Sequence, residues 1–250
     1  MISVVILGSG NVATHLIDAF LKIDEIELRQ VYTRNIKDLE SFKNNIPTTN
    51  SIEFLKQADV TIISVSDDAI SELSSKIKNS LVVHTSGSVD MSELKNSTNK
   101  GVFYPLQSFS KDKKINFKNI PICLEAEYNK DLNLLKRLAL LLQGNICHLD
   151  SNQRKRIHIA AVFVNNFTNH MYAIAHNICK KHDVSFDILH PLIMETSKKI
   201  KNLSPQEAQT GPAKRNDVET IKNHLNLLNQ QQQELYLKIT KSIQEYGNKL

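Results

Sequence analysis

Gly8, Ser9, Gly10, Asn11, Val12 and Ala13 set two glycines and a small residue at a G-x-G-x-x-A spacing, directly behind the apolar run SVVIL. In such a turn the first glycine permits a tight bend and the second lets the main chain approach a bulky anion. The closing alanine lets the following helix pack on a sheet. The chemistry on offer is electrostatic: N–H groups at a helix start, aimed at a diphosphate. The next strand ends in Thr33-Arg34-Asn35, without the acid that normally holds the ribose hydroxyls of NAD. A guanidinium fork matches phosphate oxygens, so this trio predicts a 2′-phosphate and NADP as the cofactor. Val65-Ser66-Asp67 and Thr85-Ser86-Gly87 close two further strands, at the ends where open α/β sheets collect ligands. Val65, Ser66, Asp67, Ser86 and Gly87 therefore join the expected cofactor set, although Ser66 and Asp67 read equally well as the N-cap of the helix that follows.

A proton donor is sought in the second half of the chain. At 100° per residue, His158, Val162, Asn165, Asn169 and His176 fall within about 40° of one direction, while Asn166 is off by about 80°. His158 is the candidate acid that protonates a developing oxygen or nitrogen anion, and Asn166 the candidate that orients the substrate. The competing reading is a polar stripe exposed or facing a second copy. Further on, in TGPAKRND, Asp217 is placed to cap the last helix with Thr220 three residues on, which leaves Arg215 for an anionic substrate group. That role has the loop fold over an interdomain cleft, in the same subunit or a partner's; the alternative is a solvated arginine.

The elements that must position these residues alternate. SVVIL, RQVYT, VTIISV and SLVVHT are continuous apolar strands of a parallel sheet buried on both faces. NVATHLIDAFLKI, IKDLESFKNN and DDAISELSSKIK read as the crossover helices between them. Two later strands, GVFYPL and IPICLEA, a helix over 130–142 and a last strand GNICHL complete an α/β, doubly wound, mostly parallel first domain over 1–150. An all-α domain over 151–250 follows. It holds a long helix with an apolar stripe from Ile157 to Ile178, a helix over 186–200, a short one begun by the Ser204–Glu207 capping box, and one long amphipathic helix from Val218 to Ile243.

Composition excludes several classes. With 41% hydrophobic and 23% charged residues the chain reads as soluble and globular, and no apolar run nears the roughly 18 residues of a membrane span. A cytoplasmic location is expected. Three cysteines without a CxxC pair favour reduced thiols over a disulfide framework. The net charge of +5 is scattered; the dense runs KDKK and RKR lack aromatic interleaving, so a small anionic ligand is expected in place of nucleic acid. His170, His176 and His182 lie six apart, which presents no metal site.

VVILGSGNVATHL, VYTRN, SVSDDAI, VVHTSGS, YPLQSFS, HIAAVFVNNF and TGPAKRNDVETIKNHL together resemble a family of bacterial two-domain Rossmann-like oxidoreductases whose C-terminal half is a domain of unknown function. The likeness spans nearly the whole chain. More remotely it is similar to pyrroline-5-carboxylate reductase, to deazaflavin-dependent NADP reductases and to the β-hydroxyacid dehydrogenases, with a C-terminal part like that of 6-phosphogluconate dehydrogenase. The resemblance implies an NADP-binding Rossmann domain and a helical domain that makes a homodimer through its C-terminal helices. It departs at Tyr104, where many relatives carry His, which removes the imidazole that proton transfer there would use, and at Asn216, where relatives usually have Gly. The expected activity is hydride transfer between NADP(H) and a small, anionic carbonyl or imine substrate. The alternative is an NADP-binding sensor or assembly protein without turnover.

Overall fold

A computed structural model describes residues 1–247, other than 43, 79, 96–98 and 112. Lys43 of the expected second helix and Asp112 of the KDKK run thus lie outside the described residues. The chain forms two compact units, Met1–Met171 and Tyr172–Leu250. The division falls inside the long helix, so the stretch carrying His158 and Asn166 belongs to the sheet-bearing unit.

In that unit the elements are β1 (Ile2–Leu7), α1 (Asn11–Phe20), β2 (Ile26–Tyr32), β3 (Thr48–Thr49), β4 (Val60–Ile63), α2 (Ile70–Ser75), β5 (Leu81–His84), β6 (Lys100–Pro105), β7 (Pro121–Ala126), α3 (Asn129–Leu141), β8 (Asn145–His148) and α4 (Ser151–Ala161). Among the described residues eight strands form one sheet, ordered β3-β2-β1-β4-β5-β6-β7-β8. Every pairing is parallel except β6 with β7. This is the expected doubly wound architecture, and its strand order reverses between β1 and β4, the place where such sheets leave a crevice. The sheet core forms because β1 is apolar on both faces: Val4 and Ile6 join one buried cluster with Leu16 and Phe20 of α1, while Val5 and Leu7 join another with Ile63 and Ile70.

Two expected crossover helices are shorter than the periodicity suggested. Ile36–Phe42 is a 3-10 segment broken at Leu39, and α2 is a single short helix behind a 3-10 turn at Asp67–Ala69. Thr48–Thr49, a two-residue edge strand, has no apolar pattern to announce it.

From α4 the backbone passes through a π-helical turn, Val162–Phe167, into α5 (Thr168–Lys181). The second unit continues with α6 (His190–Lys199), α7 (Pro205–Ala208), α8 (Val218–Leu227) and α9 (Gln230–Gly247). The single final helix is corrected to two. Leu228 is extended at φ −101° and ψ 150°, and Asn229 and Gln232 exchange reciprocal bonds of 3.2 and 3.0 Å that start α9. The Gln233 amide donates back to the carbonyls of Leu225 and Leu228. The glutamine run is therefore capping hardware for two helix ends, a use that a hydrophobic stripe does not reveal.

Candidate functional site

Gly8 has φ 133°, and a Cβ there would stand 2.0 Å from the Ser64 carbonyl oxygen on the neighbouring strand. Only glycine fits both the conformation and the space. Gly10 opens α1 as its N-cap, with no side-chain cap and no acid in the first turn. A Cβ on Gly10 would meet no atom within 4 Å. The helix start thus faces an open concavity into which its N–H groups point, as an anion site requires. The Asn11 amide donates to the Phe109 carbonyl at 2.9 Å, fixing the loop after β6 against α1.

One cavity of about 1220 Å³ lies over these strand ends, and all of its lining residues belong to the first unit. It exceeds the roughly 300–1,000 Å³ typical of drug-sized ligands, which leaves room for a dinucleotide. Gly8, Ser9, Gly10, Asn11 and Val12 line it, as do Thr33, Arg34 and Asn35, then Val65, Ser66 and Asp67, and Ser86 and Gly87. His158 and Asn166 line it too. Thirteen cofactor residues and two of the three catalytic candidates read from sequence are thereby brought to one place.

At the β2 end the polar groups form a chain. Thr33 Oγ1 donates to Ser9 Oγ at 3.0 Å, Ser9 Oγ donates to Asp38 Oδ2 at 3.1 Å, and the Asn35 amide donates to Asp38 Oδ1 at 3.0 Å. Asp38 also lines the cavity. The strand end itself lacks an acid, as read from sequence, yet the 3-10 segment after it brings one back to Ser9 and Asn35. Its only sequence signal was a lone Asp five positions past Thr33. Ser66 occupies the N-cap position of the 3-10 turn without a side-chain cap bond. Its hydroxyl instead lies beside Asp68, whose carboxyl is lowered by that hydrogen bond first and by the Arg34 charge among lesser causes.

At the β5 end the packing is tight. The Ser86 hydroxyl accepts the N–H groups of Ser88 and Val89, and Ser86 N–H donates to His84 Nδ1 at 3.2 Å. Burial, then the nearby Arg154 charge, pushes His84 down to about 3, so its imidazole is neutral and can accept that bond. A Cβ on Gly87 would stand 2.5 Å from His158 Nδ1 and 2.9 Å from Tyr104 Cζ. Tyr104 Oη and His158 Nδ1 are hydrogen-bonded at 3.0 Å.

The helix that carries His158 is anchored by a buried arginine one turn earlier. The Arg154 guanidinium is fully buried; it pairs with Glu125 of β7 and donates to the Val89 carbonyl and to Ser151 Oγ. Asp150 begins α4 with a capping box to Gln153, and Lys155 bonds Asp90 at 2.8 Å. Asp90 is held down at about 2, chiefly by that ammonium and then by Ser92.

The 80° offset of Asn166 shrinks once the π turn at Val162–Phe167 is counted. A π turn absorbs one extra residue, so the eight steps from His158 to Asn166 act as seven and leave about 20° between them. His158 and Asn166 both line the cavity, and Asn165 lines it as well. The sequence reading failed here because it assumed an unbroken α-helix.

Arg215 lies in the second unit. The bend after α7 has Gly211 at φ 104° and Asn216 at φ 54°, a left-handed position that asparagine tolerates and glycine favours. Asp217 caps α8 through Thr220 N at 3.1 Å, and Arg215 Nη2 stands 3.9 Å from Asp217 Oδ2 with two-thirds of its side chain exposed. Among the described residues no three His, Cys, Asp or Glu gather as a metal site, and no helix is long and apolar enough to cross a membrane.

A family described as NADP oxidoreductase coenzyme F420-dependent matches residues 3–87, and a domain of unknown function matches residues 120–243. A Bacteroides fragilis protein described as a "putative NADP oxidoreductase" is 38% identical, with 98% of each chain covered and a TM-score of 0.89. An imine reductase from Myxococcus stipitatus, solved with NADP+, is 14% identical over 99% of this chain and 93% of its own, with a TM-score of 0.66. A pyrroline-5-carboxylate reductase from Coxiella burnetii is 14% identical over 99% and 98%, with a TM-score of 0.57. These last two share the fold. No curated protein matches the sequence. The chain belongs to the NADP oxidoreductase family that includes the Bacteroides fragilis protein, in which a Rossmann nucleotide-binding half precedes a helical half of unknown function.

Proposed function

We propose that this chain reduces a small carbonyl or imine substrate with NADPH, at the end of the cavity bounded by Gly87, His158 and Asn166. One observation carries the reading: the glycine-rich turn, Arg34 and an imidazole line the same cavity. The open N-terminus of α1 and the space above Gly10 suit a diphosphate, and Arg34 suits a 2′-phosphate. When bound, NADPH supplies the hydride. His158 gives a proton from Nε2 to the oxygen or nitrogen that becomes negative, and the Asn166 amide donates a hydrogen bond that orients the substrate. Arg215 is assigned an anionic group of the substrate.

A second copy is proposed to cover the helical faces. Val164 in the π turn and Leu227 at the end of α8 are each 74% exposed, and a homodimer through the C-terminal helices would bury such apolar positions.

The test is a fluorescence titration with NADPH and NADH, followed by NADPH oxidation against a panel of keto acids, aldehydes and cyclic imines. Saturable NADPH binding with turnover of one class supports the reading. Tight binding without turnover of any favours a sensor or assembly role, and no saturable binding overturns the nucleotide site itself.

A further inference from the structure

The structure assigns Tyr104 a positioning role: its hydroxyl holds the Nδ1 edge of His158 so that Nε2 is the atom left to exchange a proton in the cavity. This rests on the proposed reduction, and it reverses the expectation that replacing His by Tyr at this position removes it from proton transfer.

Four observations support it. Tyr104 Oη and His158 Nδ1 are 3.0 Å apart, and the two rings meet edge to face at 72°. Gly87 closes the same edge of the imidazole, where even a methyl group would clash at 2.5 Å, so this edge is packed against the β5 turn and leaves no space for a ligand. Among the described residues Nε2 has no hydrogen-bond partner, although His158 lines the cavity. The anchoring of α4 through Arg154, one turn away, fixes the ring's height above Gly87.

A phenol suits this position because it can serve either charge state of its neighbour. Toward neutral imidazole the O–H donates to Nδ1, which places the remaining ring proton on Nε2. Toward imidazolium the phenol oxygen accepts from Nδ1–H. In the reduction the Nε2–H bond of the imidazolium breaks and its proton joins the substrate oxygen or nitrogen, leaving neutral imidazole with its proton on Nδ1, donated to the phenol oxygen. The resting Nε2–H tautomer returns when Nε2 takes a proton from water and Nδ1 releases its own. The Tyr104 proton stays on oxygen throughout. Burial pushes that phenol up to about 12, with Cys123 adding to the rise, so the hydroxyl does not ionise in the working range.

The test uses the full chain labelled with 15N, the His158 resonances being assigned by comparison with His158→Gln. In the wild type the neutral form of His158 is expected to carry its proton on Nε2, read from long-range 1H–15N couplings. In Tyr104→Phe that preference is expected to collapse to a mixture of tautomers, with turnover falling about tenfold to a hundredfold and NADPH affinity unchanged. A wild-type Nδ1–H tautomer overturns the assignment without any variant, and so does an unchanged tautomer in Tyr104→Phe. If the wild type binds no NADPH, the reductase reading fails, while the tautomer measurement still decides whether Tyr104 sets the imidazole.

Discussion

Replacing each glycine of the opening turn by alanine separates what holds the fold from what holds the ligand. At Gly8 the new Cβ lies 2.0 Å from the Ser64 carbonyl oxygen, where ordinary contact begins at 3.4 Å, so β1 and β4 would have to part by about 1.4 Å. They cannot do so freely: Ser64 N–H donates to Leu7 O at 2.7 Å, and β1 pairs in register with β4 from Val4 to Leu7. The left-handed φ adds about 1–3 kcal/mol of strain, and overpacking a filled site a similar amount. Gly8→Ala is thus expected to lose about 2–6 kcal/mol of stability in urea unfolding. Gly10 is the opposite case. Its φ of −73° suits any residue and its Cβ direction is empty, so Gly10→Ala is expected to unfold at the wild-type midpoint. The methyl group occupies the space a diphosphate would fill, which should weaken NADPH binding by about tenfold to a hundredfold, the equivalent of 1–3 kcal/mol of overpacking. The assay is NADPH fluorescence titration beside the unfolding curve for both variants. Wild-type affinity in Gly10→Ala would refute the placement of the ligand over the α1 start.

Arg34→Ala should weaken NADPH far more than NADH, and Asp38→Asn should favour NADPH, because it removes a carboxylate from the cavity that Arg34 also lines; equal changes for the two dinucleotides in either titration would count against the assignment. Glu125→Gln leaves the buried Arg154 guanidinium without its counter-charge and should cost about 3–5 kcal/mol by chemical denaturation. Asp90 has a depressed carboxyl, so its stabilisation is present above the ordinary carboxylate range and is lost as pH falls through about 2. Asp90→Asn should therefore cost about 1 kcal/mol at neutral pH, after discounting for solvent screening, and this difference should fade between about pH 4 and 2 in acid-unfolding curves. Arg215→Ala should raise KM for an anionic substrate while NADPH affinity holds; a loss of NADPH binding instead would refute that role.

The parallel sheet was legible because its strands are buried on both faces and so read as unbroken apolar runs, as in Val4–Leu7 and Val60–Ile63. The glycine turn was legible because its spacing follows a strand. What escaped notice depends on groups that meet only in three dimensions. Tyr104 and His158 are 54 positions apart, and Asp38 reaches Ser9 across 29. The π turn escaped for another reason: Val162–Phe167 has the composition of an ordinary helix, and only the hydrogen-bond ladder records the surplus residue. The split between α8 and α9 lies between these cases, since Asn229 and Gln232 are a recognisable cap once the stripe is not assumed to be continuous.

The surplus residue in Val162–Phe167 makes the length of this stretch a constraint in its own right. Losing one residue there would return the ladder to regular i→i+4 bonding and leave Asn166 seven true steps past His158, still about 20° from it. A gain of one would instead swing Asn166 by about 100° away from the imidazole. Substitutions on the exposed side of α4 are therefore open to drift, and so is loss of the surplus residue, whereas an insertion between His158 and Asn166 is closed, because it alters which side chains stand above Gly87.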